Sequence, residues 1–206
     1  MADTRRKLVD GAIETIRTHG ITGTSARTIA AAAGVNQALV FYHFGSVHEL
    51  LEAACLEATR ERVAAFTEKL DEVTSLRELL ALGRRVHVEE QQRGNVAVLA
   101  QLLAGAQADP KLAGATSAAL RLWIDPVEQA LDRLLTGSPV ADLVDVPGLA
   151  RVVSAGFIGL ELFEGVDAEG AGAALDSLDR LAVLSEVLDE LGPVARRALR
   201  AKLRRT

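Results

Sequence analysis

At 206 residues, with 49% hydrophobic and 25% charged side chains and a formal net charge of −5, the chain has the length for one sizeable helical domain or two small ones. It lies far from the composition of disordered polypeptides. Its single cysteine, Cys55, excludes a disulfide framework and a cysteine-rich zinc site and fits a reducing compartment, so a cytoplasmic setting is expected. The charge-free stretches 95–108 and 152–160 fall short of the roughly 18 to 20 apolar residues a bilayer-spanning helix needs, and residues 1–10 mix Asp3, Arg5, Arg6 and Lys7 without a following apolar run. Neither a membrane span nor a secretory signal is therefore expected. The first fifty residues carry five basic side chains against four acidic ones, while the remainder is acidic overall, which hints that any nucleic-acid face lies in the first quarter.

In chain order the periodicity reads helical throughout, and the predicted class is all-α. Leu8, Ala12, Ile13 and Ile16 share one face of a first helix, which Gly20 ends. A short helix over 25–33 is capped by Thr24 or Ser25 and buries Ile29, Ala30 and Ala33 before Gly34 stops it. Asn36 caps a third helix running to about Phe44, which completes a helix-turn-helix outline. Ser46 with Glu49, and Ser75 with Glu78, form capping boxes that open the next two helices, the first ending near Leu70 and the second at Gly94. Asn95 caps a helix through Gln107. Asp109 and Pro110 then start a long helix to Leu135 that Pro126 is expected to kink or split. A loop over 137–148, an apolar helix over 147–164, a second loop over 165–172 and an amphipathic helix bearing Leu178, Leu181, Ser185 and Leu188 complete the pattern. The six basic residues of 193–206 read as a solvated helix end or frayed tail.

Three of the chain's seven aromatics, Phe41, Tyr42 and Phe44, crowd around His43. A two-turn helix cannot persist on its own hydrogen bonds, so Phe41 and Phe44 are expected to pin it to the first helix. Tyr42 and His43, left outward, can donate hydrogen bonds to phosphate oxygens.

The run Thr24-Ser-Ala-Arg-Thr-Ile-Ala-Ala-Ala-Ala-Gly-Val35, followed by Asn36-Gln-Ala-Leu-Val-Phe-Tyr-His-Phe-Gly-Ser-Val47 and Glu49-Leu-Leu51, resembles the TetR family of bacterial transcriptional regulators. The likeness covers about residues 5–55. It implies a three-helix DNA-binding domain over 1–48 and a helical effector-binding and dimerisation domain over 49–206. On that resemblance the helix from Asn36 to Phe44 enters a major groove, Gln37 pairs with a base and Arg27 meets guanine or phosphate. Thr24 and Ser25 hold phosphate, Ala38 and Leu39 touch a thymine methyl, and Tyr42 and His43 fix the helix on the backbone. Leu39 departs from the family's small hydroxyl residue. Val47 replaces a phosphate-gripping lysine, with His48 a weak substitute, which predicts a salt dependence shallower by about one unit of slope.

One such module contacts too few bases for a unique site, so a homodimer on a palindromic operator is expected. The seam is assigned to the helices bearing Val152, Gly156, Gly159 and Phe163, and Leu181, Ser185 and Leu188; the competing reading packs these glycines inside one subunit. The resemblance also implies a small-molecule effector cavity, for which His87, Gln91, Gln101, Trp123, Phe157 and Glu161 interrupt apolar faces, each with a plain core or surface reading beside it. No metal is expected, because the four histidines are scattered without an i, i+4 pair. No cofactor or catalysis is expected either: no phosphate loop or nucleophile elbow occurs, and Cys55 sits mid-helix without a nearby base. The resulting function is a ligand-responsive transcriptional regulator, a repressor released by its effector. The alternative is a helical small-molecule sensor or carrier that has lost DNA binding.

Overall fold

The computed structural model describes residues 2–189 apart from 94, 139, 140, 142 and 143, and beyond 189 only 192, 194, 195, 197, 198 and 202. Among the described residues there is no strand. The helices are α1 (Ala2–His19), α2 (Ala26–Ala33), α3 (Ala38–Phe44), α4 (Val47–Asp71), α5 (Leu76–Gln92), α6 (Asn95–Ala108), α7 (Pro110–Leu135), α8 (Val146–Glu164) and α9 (Ala168–Asp189). Two compact units form, Met1–Ala64 with Glu90–Leu122, and Ala65–Glu89 with Trp123–Thr206.

The first unit is built on the stripe Leu8, Val9, Ala12 and Ile16 of α1, all buried, which meets Ile29 and Ala30 of α2, Val40 of α3 and Leu50, Leu51, Ala54 and Cys55 of α4. Val98 and Leu102 of α6 and Leu112 and Ala119 of α7 close the same core. Gly11 lets α1 and α2 touch: a Cβ there would lie 2.9 Å from Ala33 Cβ and 3.0 Å from the Ile29 carbonyl oxygen. Local signals fix the ends. Ser25 Oγ accepts from the Thr28 amide while Thr28 Oγ1 accepts from the Ser25 amide, so α2 opens with a reciprocal cap whose partner at the third helical position is a threonine. Gly34, at φ +66°, ends it in the left-handed region, and its amide returns to the preceding turn. Asn36, two residues before α3, accepts at Oδ1 from the Ala38 amide at 2.8 Å, while Gln37 holds the N-cap position without a side-chain bond. Ser46 Oγ accepts from the Glu49 amide at 3.1 Å at the start of α4.

The second unit has its own core of Phe66, Leu70, Val73, Leu82, Val86 and Ala130, with Leu79, Trp123, Leu134 and Phe157 packed against it. Glu78 opens α5 by accepting from the Thr74 amide and hydroxyl at 2.7 and 2.9 Å, reaching one residue further back than a standard box; these bonds hold its carboxyl below the ordinary range. Arg133 ties α7 to the end of α4 by donating to the Leu70 carbonyl at 2.8 Å.

Three expectations about element ends are corrected. Pro126 does not split α7, which runs unbroken through it. The side chains on both sides are anchored, Ala115 and Ala119 before and Ala130, Leu131 and Leu135 after, and that burial offsets the roughly 3 kcal/mol a mid-helix proline costs. The loop over 165–172 shrinks to 165–167, because Asp167 Oδ1 accepts from the Gly170 amide at 2.9 Å and draws Gly170 and Gly172 into α9. Likewise α8 opens at Val146, inside the expected 137–148 loop and one residue ahead of the expected helix start at 147, capped by Asp145, which accepts from the Gly148 amide. The expected stop at Gly94, the capping side chain of Asn95 and most of the basic run 193–206 lie outside the described residues.

Candidate nucleic-acid interface

The helix-turn-helix of α2, Gly34 and α3 presents α3 along one exposed arc. At 100° per residue, Val40 and Phe44 fall to one side and Gln37, Phe41, Ala38 and Tyr42 span the other. Burial follows that division: Val40 is fully buried and Leu39 and Phe44 pack on the first core, whereas Gln37, Ala38, Phe41 and Tyr42 are exposed, Phe41 by 53% and Tyr42 by 72%. The bracing role expected of Phe41 is therefore wrong. Val40 takes it, with Phe44 beneath the Arg5 guanidinium at 5.0 Å. Leu39 leans on the core, so its expected thymine contact would come from the flank of the helix. His43 is half-buried, its ring edge-on to Tyr42 at 5.0 Å.

The remaining residues of the expected interface lie around α2 and the turn. Arg27 and Ser25 are exposed and Thr24 is half-buried. Thr24 Oγ1 donates to the Gly20 carbonyl at 2.9 Å and the Ser25 side chain serves the α2 cap, so both hydroxyls are already engaged and the exposed first turn of α2 remains for an anion. Charge is distributed to match. Arg5 pairs with Glu57, Arg6 with Asp10 and Glu61, Lys7 with Asp3 and Arg17 with Glu14, leaving Arg27 as the basic residue of the first fifty without an ion pair among the described residues. His48, expected as a weak substitute for a phosphate-binding lysine, turns towards Asp109. Its Nε2 lies 2.9 Å from Asp109 Oδ2, short of hydrogen-bond alignment but turned to the cap of α7, and Val47 packs on the core.

Of the residues expected around an effector, the second unit gathers four. His87 is buried with Nε2 against the Glu164 carboxylate and Nδ1 3.8 Å from Glu161 Oε1, and the Phe157 ring meets its edge at 6.0 Å. Trp123 is half-buried and tilted against Phe66 at 5.9 Å. Gln91 and Gln101 fall in the first unit; both are exposed, and Gln101 Oε1 accepts from the Ile21 amide at 3.4 Å. The sequence reading missed Ser154, whose buried hydroxyl has no partner and which shares the inward stripe of α8 with Phe157 and Glu161. The i, i+3, i+7 spacing of those three was the available signal. An open groove of about 410 Å³ in the same unit is lined instead by Asp125, Glu128, Gln129, Asp132, Val146 and Pro147. Cys55 is buried, and desolvation pushes its thiol up to about 11, so it is no nucleophile at neutral pH. Among the described residues no cluster of His, Cys, Asp and Glu could hold a metal.

The outward face of α8 carries Val152, 68% exposed, and Phe163, 67% exposed, with Gly156 and Gly159 between them. A Cβ on either glycine would meet nothing within 4 Å among the described residues. Leu178 and Val183 of α9 are exposed too, while the side chains of Leu181, Ser185 and Leu188 lie outside the described residues. The charge-free count understated this element: by length and composition Val146–Glu164 is long and apolar enough to cross a bilayer, because two charges within such a window are tolerated.

The family model described as bacterial regulatory proteins, tetR family, matches residues 8–54, from the core face of α1 into α4. Residues 8–54 thus match the N-terminal domain of the TetR family. An uncharacterized HTH-type transcriptional regulator of Mycobacterium tuberculosis is 25% identical over 164 residues, 80% of this chain and 84% of the relative. The HTH-type nicotine-responsive transcriptional repressor of Paenarthrobacter nicotinovorans is 36% identical over 69 residues, 34% of this chain and 36% of the relative. Among solved structures, a Rhodococcus protein described as a TetR-family transcriptional regulator superposes with a TM-score of 0.73 at 23% identity, covering 89% of this chain and 98% of that one. The transcriptional regulator FadR of Bacillus subtilis, in complex with stearoyl-CoA, does so with a TM-score of 0.72 at 17% identity, covering 86% and 97%. The helix-turn-helix of this chain is thus similar to that of tetR-family regulatory proteins, and its fold to that of solved transcriptional regulators.

Proposed function

We propose that this chain is a TetR-family regulator, a cytoplasmic homodimeric repressor that holds a palindromic operator through two copies of α3 and releases it when a small molecule binds the second unit. The observation that carries the reading is the exposed arc of α3: Gln37 and Tyr42 face solvent while Val40 anchors the helix, and the free charge of Arg27 lies on the preceding helix. Gln37 can pair bidentately with adenine, Ala38 touches a thymine methyl, and Leu39 does so from the flank. Arg27, Tyr42, His43 and the first turn of α2 with Thr24 and Ser25 hold the backbone. Asn36 acts through its cap on α3. Residues 1–48 form the DNA-binding part and 49–206 the effector and dimerisation part.

A second copy supplies the second half-site, with reading-helix centres roughly 34 to 36 Å apart. The exposed apolar face of Val152, Gly156, Gly159 and Phe163, continued by the α9 helix that bears Leu181, Ser185 and Leu188, supports the seam. Effector binding is assigned to His87, Trp123, Ser154, Phe157 and Glu161 of the second unit; Gln91 and Gln101 of the first unit are left out of it. The nicotine-responsive repression of one relative and the stearoyl-CoA bound by one structural neighbour support a small organic effector. The effector needs only to favour a conformer with misplaced reading heads. A coupling of about 1 to 3 kcal/mol changes operator affinity some 5- to 150-fold.

Equilibrium binding to a panel of single-base operator variants tests the assignment. Gln37→Ala is expected to cost about 1 to 3 kcal/mol and to relax preference at one position per half-site, whereas Tyr42→Phe weakens all variants alike. A Gln37→Ala protein that binds every variant as the wild type does would remove Gln37 from the reading face.

A further inference from the structure

The exposed arc of α3 contains one large side chain that no hydrogen-bonding role explains. Phe41 is 53% exposed and stands apart from the core that takes Leu39, Val40 and Phe44. In projection it falls 40° from Gln37 and 60° from Ala38, one turn further along, so it lies between the two positions assigned to bases. A phenyl ring offers neither donor nor acceptor, and on a base edge in the major groove the apolar group it can meet is the C5-methyl of thymine. We infer that Phe41 is a specificity-determining residue that selects thymine at one position of each operator half-site by burying its methyl group. This rests on the reading that α3 lies in the major groove, and the interface it extends is the face of Gln37, Ala38 and Tyr42.

A phenylalanine held in water at this point also explains why the short helix needs Val40 rather than Phe41 as its anchor: the ring is kept for the partner and not for the core. Neighbouring Tyr42 is 72% exposed but carries a hydroxyl, so it can serve a phosphate, and the two aromatics divide the work between base and backbone.

The test uses the full-length protein and a duplex selected by it from a randomised pool. Each thymidine of the half-site is replaced in turn by deoxyuridine, which removes the methyl and leaves every hydrogen-bonding group in place. One position is expected to lose about fourfold in affinity per half-site, the size of burying one methyl-sized group. In Phe41→Ala that difference disappears, and in Phe41→Leu part of it returns. Because the ring is exposed, the variants' folding is checked by unchanged thermal unfolding. The proposal is overturned if no deoxyuridine substitution weakens the wild type, or if the same difference persists in Phe41→Ala. A pool that enriches no sequence overturns the duplex-binding reading itself and takes this assignment with it, an outcome distinct from a selected duplex that is indifferent to the methyl.

Discussion

Side chains on α3 show how a three-residue difference in phase decides a role. Phe41 and Phe44 look equivalent in a string of letters, since both are large and apolar, but around the axis Phe44 lies about 40° and Phe41 about 100° from the inward direction that Val40 occupies. Sequence reasoning weighs residue type before phase in so short a helix, where two turns give no period to fit. Gln37 and Tyr42 were read correctly as outward because polar groups leave the core whatever the register. The same level of description carries a prediction about Val47. This residue packs beside the first core at the start of α4, where the family resemblance expects a lysine. Val47→Lys is expected to steepen the dependence of log affinity on log salt by about 0.9 for each phosphate newly neutralised in a half-site. A salt series on one duplex measures it; equal slopes for the two proteins would mean that no phosphate lies within reach of this position.

Helices were the most readable level, because many of them announce themselves with a cap: Ser25, Asn36, Ser46, Ser75 and Asp109 all stand at or beside an observed start. The errors arose where a breaker was given more weight than the surrounding packing, as at Pro126, or where glycines were read as loop although an aspartate had already begun the next helix, as at Gly170. Close approach between helices was not readable at all. Nothing in the sequence marks Gly11 as the point where α1 meets α2, and only the built Cβ, 3.0 Å from the Ala33 amide nitrogen, reveals it. Alanine is the better helix former by about 1 kcal/mol, yet overpacking two helix backbones costs about 1 to 3 kcal/mol. Gly11→Ala is therefore expected to lower stability, read as a reduced urea midpoint at unchanged slope. A raised midpoint would show that α2 yields freely and that the contact constrains nothing.

Across the whole chain, the two packing units differ in what they leave exposed. The first exposes a polar arc with one phenyl ring, fit for a polyanion with readable edges. The second exposes Val152, Phe163, Leu178 and Val183, apolar surface that a single subunit gains nothing by showing to water. The seam was readable as a run of small and apolar residues, but its outward direction was not, because a helix with apolar residues nearly all round gives no phase. The set of buried His87, Ser154 and Glu161 with half-buried Phe157 was likewise readable only in part: polar interruptions of apolar helices can be found by eye, but which of them converge depends on helix pairing.

The central claim is that two copies of the chain act together on one palindromic duplex, and sedimentation velocity of the protein with a selected duplex tests it most directly. The account predicts a complex of two chains per duplex from a free dimer, and a Phe163→Glu protein that sediments as a monomer and binds the same duplex far more weakly. A wild-type protein that is a stable monomer and saturates the duplex at one chain, or a Phe163→Glu protein that remains dimeric and binds unchanged, would contradict it.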